Sequence, residues 1–136
     1  MAFLLDQMRA LGNLSRFVEL IEAVDLAGPL NGPGQFTVFS PTDDAFDQAP
    51  QDILELHSAT YDKQRSLALH HVTFGLYDEL TLRQAQRVKN AGGNELKVGD
   101  DYAVLRISGA LITSSYPDLE NGALHLIERV LWPPLR

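Results

Sequence analysis

The hydrophobic pattern of this chain changes partway along, and that change restricts the fold more than any other feature of the sequence. Apolar residues within the segment 14–24 recur at the i, i+3, i+4, i+7 spacing of an amphipathic helix. After Gly75 the sequence alternates and turns in the manner of β structure. Helical sequence followed by strand-forming sequence predicts an α+β fold. No linker or internal repeat divides the chain, so residues 1–136 are expected to form a single domain.

Capping residues and helix breakers indicate where the helices begin and end. Asn13 or Ser15 could cap the first helix, and Gly28-Pro29 should end it, because proline cannot continue a helical ladder. Thr42 is placed to cap a second helix, with two aspartates behind it near the positive end of the helix dipole. Further helices are expected over residues 50–56 and 62–70 and at the capping-box sequence of residues 81–84.

The strands are predicted from alternation and from turn residues. Turns are expected at residues 99–101, at Ser108-Gly109 and at Asn121-Gly122, where glycine tolerates a positive φ, and Pro133-Pro134 should stop the last strand. Residues along that last strand should alternate between two faces. The predicted strands are 36–39, 95–98, 102–107, 110–114 and 123–130.

Composition excludes several classes of function. The chain has 136 residues, no cysteine, and a net charge of −7 from 11 basic and 18 acidic residues. Thiol catalysis, thiolate zinc sites and iron–sulfur clusters are therefore ruled out, and nucleic acid or anionic lipid is a disfavoured partner. The apolar stretch at residues 1–5 is too short for a secretory signal, and the acidic Asp6 follows it directly. A mature or trimmed form without its leader is therefore expected.

Three segments of the chain resemble signatures of the fasciclin domain family. The first is TVFSPTDDAF at residues 37–46, and the second is LALHHVTFG at residues 67–75, similar to the family's Tyr-His segment. The third is NGALHLIERVLWP at residues 121–133, similar to the closing Asn-Gly-x-x-His-x-Ile-Asp-x-Val-Leu-x-Pro signature. Two positions depart from the family pattern, because His70 replaces the tyrosine and Glu128 replaces the aspartate.

The resemblance implies a fold and a general role. The fold implied is a β-sandwich or wedge with helices packed on it, as in small single-domain bacterial members. The role implied is adhesion at the cell surface, in the periplasm or in the secreted fraction, to a protein or a polysaccharide. The family's Tyr-His segment and its Asp-Ile pair are linked to partner binding, so His70, His71, Asp118 and Leu119 are the candidate contacts. For Asp118 and Leu119, a purely structural role in a turn is an equally good interpretation.

The histidines also raise the question of a metal site. His70 and His71 are adjacent and must diverge in either a strand or a helix, so the pair is unsuited to one ion. His71 with His125 and a carboxylate would be acceptable to zinc, but a buried His71 that donates to a backbone carbonyl is the preferred interpretation. His70 is then expected to face outward. The acidic residues form no calcium-binding loop, and no metal or cofactor is predicted.

Two other functions compete with adhesion. The chain could be a carrier or sensor that holds a small apolar or carbohydrate ligand, which requires a concave pocket of several hundred Å³ with a few polar groups. A hydrolase would require a nucleophile and a base within hydrogen-bond reach in a cleft. The sequence lacks the nucleophile elbow, the His-Glu-x-x-His motif and a phosphate-binding loop, which favours a protein that is not an enzyme.

Overall fold

A computed structural model describes residues 3–101 and 104–134 of the chain. Within those residues the helices are α1 Leu4–Leu11, α2 Ser15–Ala23, α3 Ala27–Leu30, α4 Asp43–Gln48, α5 Gln51–His57, α6 Tyr61–Leu69 and α7 Glu79–Ala85. The strands are β1 Phe36–Pro41, β2 Val72–Phe74, β3 Arg87–Lys89, β4 Glu95–Asp101, β5 Val104–Ile107, β6 Ala110–Leu119 and β7 Gly122–Ile127. The predicted α+β class is confirmed.

The strands form one mixed sheet in the order β2-β1-β7-β6-β5-β4-β3. Only the β1–β7 pair is parallel among the described pairings, and the others are antiparallel. The long connection between β1 and β7 contains four of the helices and the β3–β6 meander, as a parallel pair requires a crossover. The sheet therefore joins segments that are far apart in sequence.

Two hydrophobic clusters lie on the two faces of β7. Leu124 and Leu126 pack with buried residues of α1, α2, α4 and α6 in the larger cluster. Ile127 packs with Phe39 and with Leu82 of α7 in the smaller cluster, which the strands β3–β6 complete. The alternation predicted for the last strand is thus confirmed, and the helices pack on the sheet as the wedge arrangement requires.

The start of α2 differs from the prediction because its cap comes from another part of the chain. Neither Asn13 nor Ser15 caps the helix with its side chain. Asp43 does so instead: its Oδ1 accepts the Arg16 backbone N–H at 2.8 Å, and its Oδ2 accepts the Ser15 hydroxyl at 2.7 Å. Thr42 does cap α4, as predicted, by accepting the Ala45 N–H. The two residues Thr42 and Asp43, which follow β1, therefore fix the start of both α4 and α2.

Other helix boundaries also needed correction. The helix α2 ends at Ala23, before Gly28-Pro29, because Asp25 turns the chain with a φ of 63°. Gly28 and Pro29 lie inside the short helix α3, where proline is tolerated in the first turn. The cap of α7 is Asp78, whose Oδ1 accepts the Thr81 N–H at 2.8 Å, so Thr81 lies inside the helix. The predicted helices at 50–56 and 62–70 are present as α5 and α6, within one residue at each end.

Helix α1 was not predicted. It buries Leu4, Leu5 and Met8 against the larger cluster. Its first N–H, that of Leu4, donates to the Asn121 side-chain oxygen at 2.9 Å. The Asn121 amide nitrogen in turn donates to the Leu30 carbonyl at 2.8 Å. A side chain from the β6–β7 turn therefore ties helices α1 and α3 to the sheet.

The turns of the β region follow the prediction only in part. Ser108-Gly109 forms the expected two-residue turn, with φ of 47° and 87°. Residues 99–101 form no turn, because they continue β4 and pair with β5. The turn between β6 and β7 is Glu120-Asn121, since Leu119 pairs with Gly122. The strand β7 ends at Ile127, earlier than predicted, and residues 102 and 103 of the predicted third strand lie outside the described residues.

Candidate functional site

His71 is a buried connector between α6, β2 and the C-terminal segment. Its Nε2 accepts the Leu131 backbone N–H at 2.9 Å, so its proton is on Nδ1, which donates to the Leu67 carbonyl at 2.8 Å. The Phe17 ring packs edge-on against the imidazole at a centroid distance of 5.3 Å. Burial lowers the pKa of His71 to about 3, so the ring is neutral. This geometry confirms the structural role predicted for His71.

His70 is buried as well, and the expectation that it faces outward is wrong. Only 6% of the residue is exposed, because the β3–β4 hairpin covers it. The Asn90 amide nitrogen lies 2.9 Å from His70 Nδ1 and 3.1 Å from the His70 carbonyl oxygen. Burial, followed by the nearby His57, lowers the pKa of His70 to about 4. Whether any of the four candidate residues contacts a partner stays a prediction. His71 is enclosed in the fold, whereas the small exposed part of His70 borders a groove beside Trp132.

A third buried histidine extends this group. The His57 ring stacks on the Trp132 indole, with centroids 5.1 Å apart and an angle of 27° between the planes. Burial, and then the positive charge of Lys63, lowers the pKa of His57. His57, His70 and His71 therefore sit as neutral rings behind the C-terminal segment that contains Leu131 and Trp132.

The unfolding free energy should fall as the solution is acidified. His70 and His71 have folded-state pKa values of about 4 and about 3, below the ordinary value of 6.5. At a pH between the folded-state pKa of each histidine and 6.5, the unfolded chain binds more protons than the folded chain. The stability contributed by each neutral ring is complete above pH 6.5 and is lost as the pH falls towards the folded value, by up to about 1.4 kcal/mol per pH unit for each histidine.

Urea unfolding between about pH 7 and pH 5 would measure this dependence. A His70→Gln variant keeps a donor and an acceptor but takes up no proton, so its stability should vary less steeply with pH. A wild-type free energy that is constant over this interval would contradict the prediction.

The alternative metal site at His71 and His125 is not available in this arrangement. Each ring has both nitrogens engaged, His71 as described and His125 with the Ser115 hydroxyl and the Tyr77 carbonyl. Within residues 3–101 and 104–134, no cluster of three or more His, Cys, Asp or Glu side chains could hold a metal ion. No group of residues thus qualifies as a metal centre in the described part of the chain.

Ser115 and His125 form a hydroxyl–imidazole contact that bears on the hydrolase alternative. His125 Nε2–H donates to the Tyr77 carbonyl at 2.7 Å, so Nδ1 is the acceptor for the Ser115 hydroxyl, also at 2.7 Å. A hydroxyl and a base are therefore within hydrogen-bond reach. The imidazole, however, is fully buried, stacks on Phe39 at 5.5 Å, and is oriented by a backbone carbonyl rather than by a carboxylate. Its role in the fold is a cross-strand hydrogen bond that satisfies a buried ring.

An exposed surface lies at one end of the sheet, where four strands align. Leu119 of β6 pairs with Gly122 of β7, Gly122 pairs with Phe36 of β1, and Phe36 pairs with Phe74 of β2. These positions form a row that spans about 15 Å at the usual strand spacing. Phe74 is 65% exposed, and its ring lies 6.0 Å from that of Phe36. We call Phe36, Phe74, Asp118 and Leu119 the Phe74 surface.

The remaining predicted contacts belong to this surface. Asp118 is exposed, while Leu119 is partly buried and packs against the larger cluster. Phe74 was not singled out from the sequence, although it directly precedes a glycine that has a φ of 103°. Alternation would not have identified it, because Phe74 shares a strand face with the buried Val72 and is exposed only because the strand ends there.

The fold and the site define a helix-covered β-wedge with an exposed aromatic side chain at one end of its sheet. The fasciclin domain family matches residues 12–133, and the chain therefore belongs to this family. The protein sll1483 of Synechocystis is 33% identical over 132 residues, which cover 93% of this chain and 72% of that protein. Human periostin is 26% identical and is matched over 94% of this chain but only 15% of its own length.

Two further comparisons agree with this assignment. The immunogenic protein MPB70 of Mycobacterium bovis is 30% identical, over 85% of this chain and 58% of its own. The solved FAS1 domain pair of the insect cell adhesion molecule Fasciclin I superimposes with a TM-score of 0.65 at 19% identity, over 88% of this chain and 45% of that chain. The fasciclin-like fold implied by the signatures is thus confirmed. Among the described residues, no helix has the length and apolar character needed to cross a bilayer.

Proposed function

We propose that this protein is a non-catalytic binding module that attaches to a protein or polysaccharide outside the cytoplasm, through the Phe74 surface. The observation that carries the proposal is the exposed Phe74 ring, which lies in the same strand row as Leu119, the residue that follows Asp118 at the end of β6. A large aromatic side chain left in water is unfavourable for the free protein, and such residues mark interaction sites when they lie beside polar ones.

The composition of the surface suits a binding anchor. Aromatic side chains supply much of the contact energy in interfaces, and Phe36 and Phe74 stand next to one another with tilted rings. Asp118 adds an exposed carboxylate at the β6 end of the row, next to Leu119. A partner would therefore combine an apolar group with a cation or a hydrogen-bond donor.

The surroundings of the surface are rigid. Thr37 Oγ1 donates to the Gly75 carbonyl at 2.8 Å and accepts the Tyr77 N–H at 2.9 Å, which fixes the chain that follows Phe74. His71 holds the start of β2 through its two hydrogen bonds. A preorganised surface loses little conformational freedom on binding. In this proposal His70 and His71 therefore contribute by positioning β2.

The relatives support a location and a role outside the cytoplasm. The insect structural neighbour is a cell adhesion molecule. By analogy, we place this chain in the secreted fraction, in the periplasm or at the cell surface, and we assign it no enzymatic activity.

Beads coated with the purified protein should attach to immobilised protein or polysaccharide, and Phe74→Ser or Asp118→Ala should weaken that attachment. The loss expected for a central aromatic anchor is about tenfold or more. Suitable coatings are collagen, peptidoglycan, cellulose and alginate, and bead detachment under flow is the measurement.

Leu56→Ser is the matched control, because Leu56 is also a large exposed apolar residue but belongs to α5. It should attach as the wild type does. Equal attachment by the Phe74→Ser protein would remove the proposed surface, and attachment to none of the coatings would contradict the adhesive role.

A further inference from the structure

We propose that a second site, separate from the Phe74 surface, binds a neutral saccharide. The site is a groove of about 560 Å³ between the C-terminal segment, the start of β4 and the β5–β6 turn. We call it the Trp132 groove and define it by His70, Asn94, Glu95, Arg129 and Trp132, which line it. Its volume lies in the range of about 300–1,000 Å³ that is typical of small-ligand sites.

His70 presents a hydrogen-bond donor to the groove for which the described residues provide no acceptor. Asn90 Oδ1 accepts the Asn94 backbone N–H at 3.0 Å, so the Asn90 amide nitrogen is the group that faces His70. That nitrogen is a donor, and His70 Nδ1 must therefore be the acceptor. The proton of the neutral ring is consequently on Nε2, and within the described part of the chain no group accepts a hydrogen bond from it. Nε2 is not among the buried atoms that lack a partner, so this N–H is open to the water of the groove, and a ligand hydroxyl could replace that water.

Trp132 supplies an apolar wall. The His57 ring covers part of the indole by stacking, which holds the ring in place. The indole also borders the groove and a neighbouring cleft near Ala49 and Pro50, and the residue is half-buried. A pyranose ring has one face made of C–H groups, and this face can pack against an aromatic ring while the hydroxyls remain free to hydrogen-bond.

The charges in the groove favour an uncharged ligand. Glu95, which also pairs with Arg87 at 3.5 Å, and Arg129 contribute one negative and one positive group. The whole chain has a net charge of −7, which opposes the approach of anions. The carboxylate accepts, the guanidinium donates, and the Asn94 amide does both. Hydroxyl groups, each of which donates and accepts, match such a mixed set better than a phosphate, a carboxylate or an aliphatic chain does.

The groove is distant from the Phe74 surface along the sheet. The strand β7 runs from Gly122, in the row of the Phe74 surface, to Ile127, and the segment with Arg129 and Trp132 follows that far end. At about 3.3 Å per residue, the two ends of this strand are roughly 16 Å apart. The inference therefore goes beyond attachment, and either site can fail experimentally without the other.

Titration with saccharides, followed by Trp132 fluorescence, tests this proposal. Trp132 is the only tryptophan, so its emission reports on the groove and on the adjoining cleft near Ala49 and Pro50, and the amide resonances distinguish the two. The probes are cellobiose, maltose, lactose and N,N′-diacetylchitobiose, with inorganic phosphate and hexanol as representatives of anionic and apolar ligands. At least one saccharide should change the emission saturably and shift the backbone amide resonances of Asn94, Glu95 and Gly109.

Three variants make the test specific. Asn94→Ala and His70→Phe should each weaken saccharide binding about tenfold or more, since each removes a hydrogen-bonding group from the groove. Phe74→Ser should bind saccharide as the wild type does while losing bead attachment. If no saccharide gives a saturable change, the proposal is wrong. Saturation by phosphate or hexanol alone would overturn the saccharide class, and saccharide-induced shifts confined to the Phe74 surface would overturn the location.

Discussion

Replacing Gly122 with alanine is expected to abolish the folded state or to lower the unfolding free energy by more than about 4 kcal/mol. An added Cβ would stand 2.8 Å from the Phe36 carbonyl carbon, closer still to its oxygen, and 3.0 Å from a methyl group of Leu4. The Phe36 atoms are backbone atoms of the parallel β1–β7 pair, so they cannot rotate away. Relief would require the two strands to separate at the row that carries the Phe74 surface.

Gly28→Ala is the control for that experiment. Gly28 lies in α3, and a Cβ there would meet nothing within 4 Å. Alanine is a better helix former than glycine by up to about 1 kcal/mol, so this variant should be as stable as the wild type or slightly more stable. Circular dichroism and urea unfolding would compare the two proteins. A Gly122→Ala protein that unfolds at the wild-type urea concentration would show that the sheet does not pack as closely as described.

Replacing His71 with alanine is expected to cost about 4 kcal/mol, which corresponds to a fall in melting temperature of roughly 10–15 °C. The ring is 0% exposed, so its removal leaves a cavity beside Phe17. It also leaves the Leu67 carbonyl and the Leu131 N–H without their partners. Both effects act on the same contact between α6 and the C-terminal segment.

His71→Gln separates the two contributions. Glutamine keeps one donor and one acceptor but fills less of the space, so its loss should be smaller than that of alanine. Asp44→Ala, at an exposed position of α4, controls for substitution as such and should change the melting temperature little. A melting curve of His71→Ala that overlays the wild type would contradict the structural role of this residue.

Local features of this fold were predictable because each depends on a few neighbouring residues. The Thr42 cap, the Ser108-Gly109 turn and the two faces of β7 follow from side-chain chemistry and period over short distances. The family followed from three short signatures for the same reason, since each is a contiguous run of residues. Function within the family is not specified by those runs.

The errors concern contacts between distant residues. Asp43, the first residue of α4, caps α2. The N–H of Leu4 at the start of α1 donates to Asn121, which lies 117 positions further along the chain. His70 was expected at the surface because it stands where the family's tyrosine is linked to partner binding and because its neighbour His71 was expected to be buried. The hairpin that covers it lies 20 residues further on. No local pattern encodes which segment will cover such a side chain.

The two candidate sites also depend on contacts between distant residues rather than on local sequence. Phe74, Phe36 and Leu119 come together only through strand register, and the Trp132 groove only through the return of the C-terminal segment past β4. The sequence by itself determined the α+β class, the fasciclin family, the principal helices and the alternating core of β7. Only the tertiary structure decided which residues are buried and which are exposed at a common surface. The physical reason is that local propensity and periodicity act over a few residues, whereas burial and register depend on pairings between segments up to a hundred residues apart.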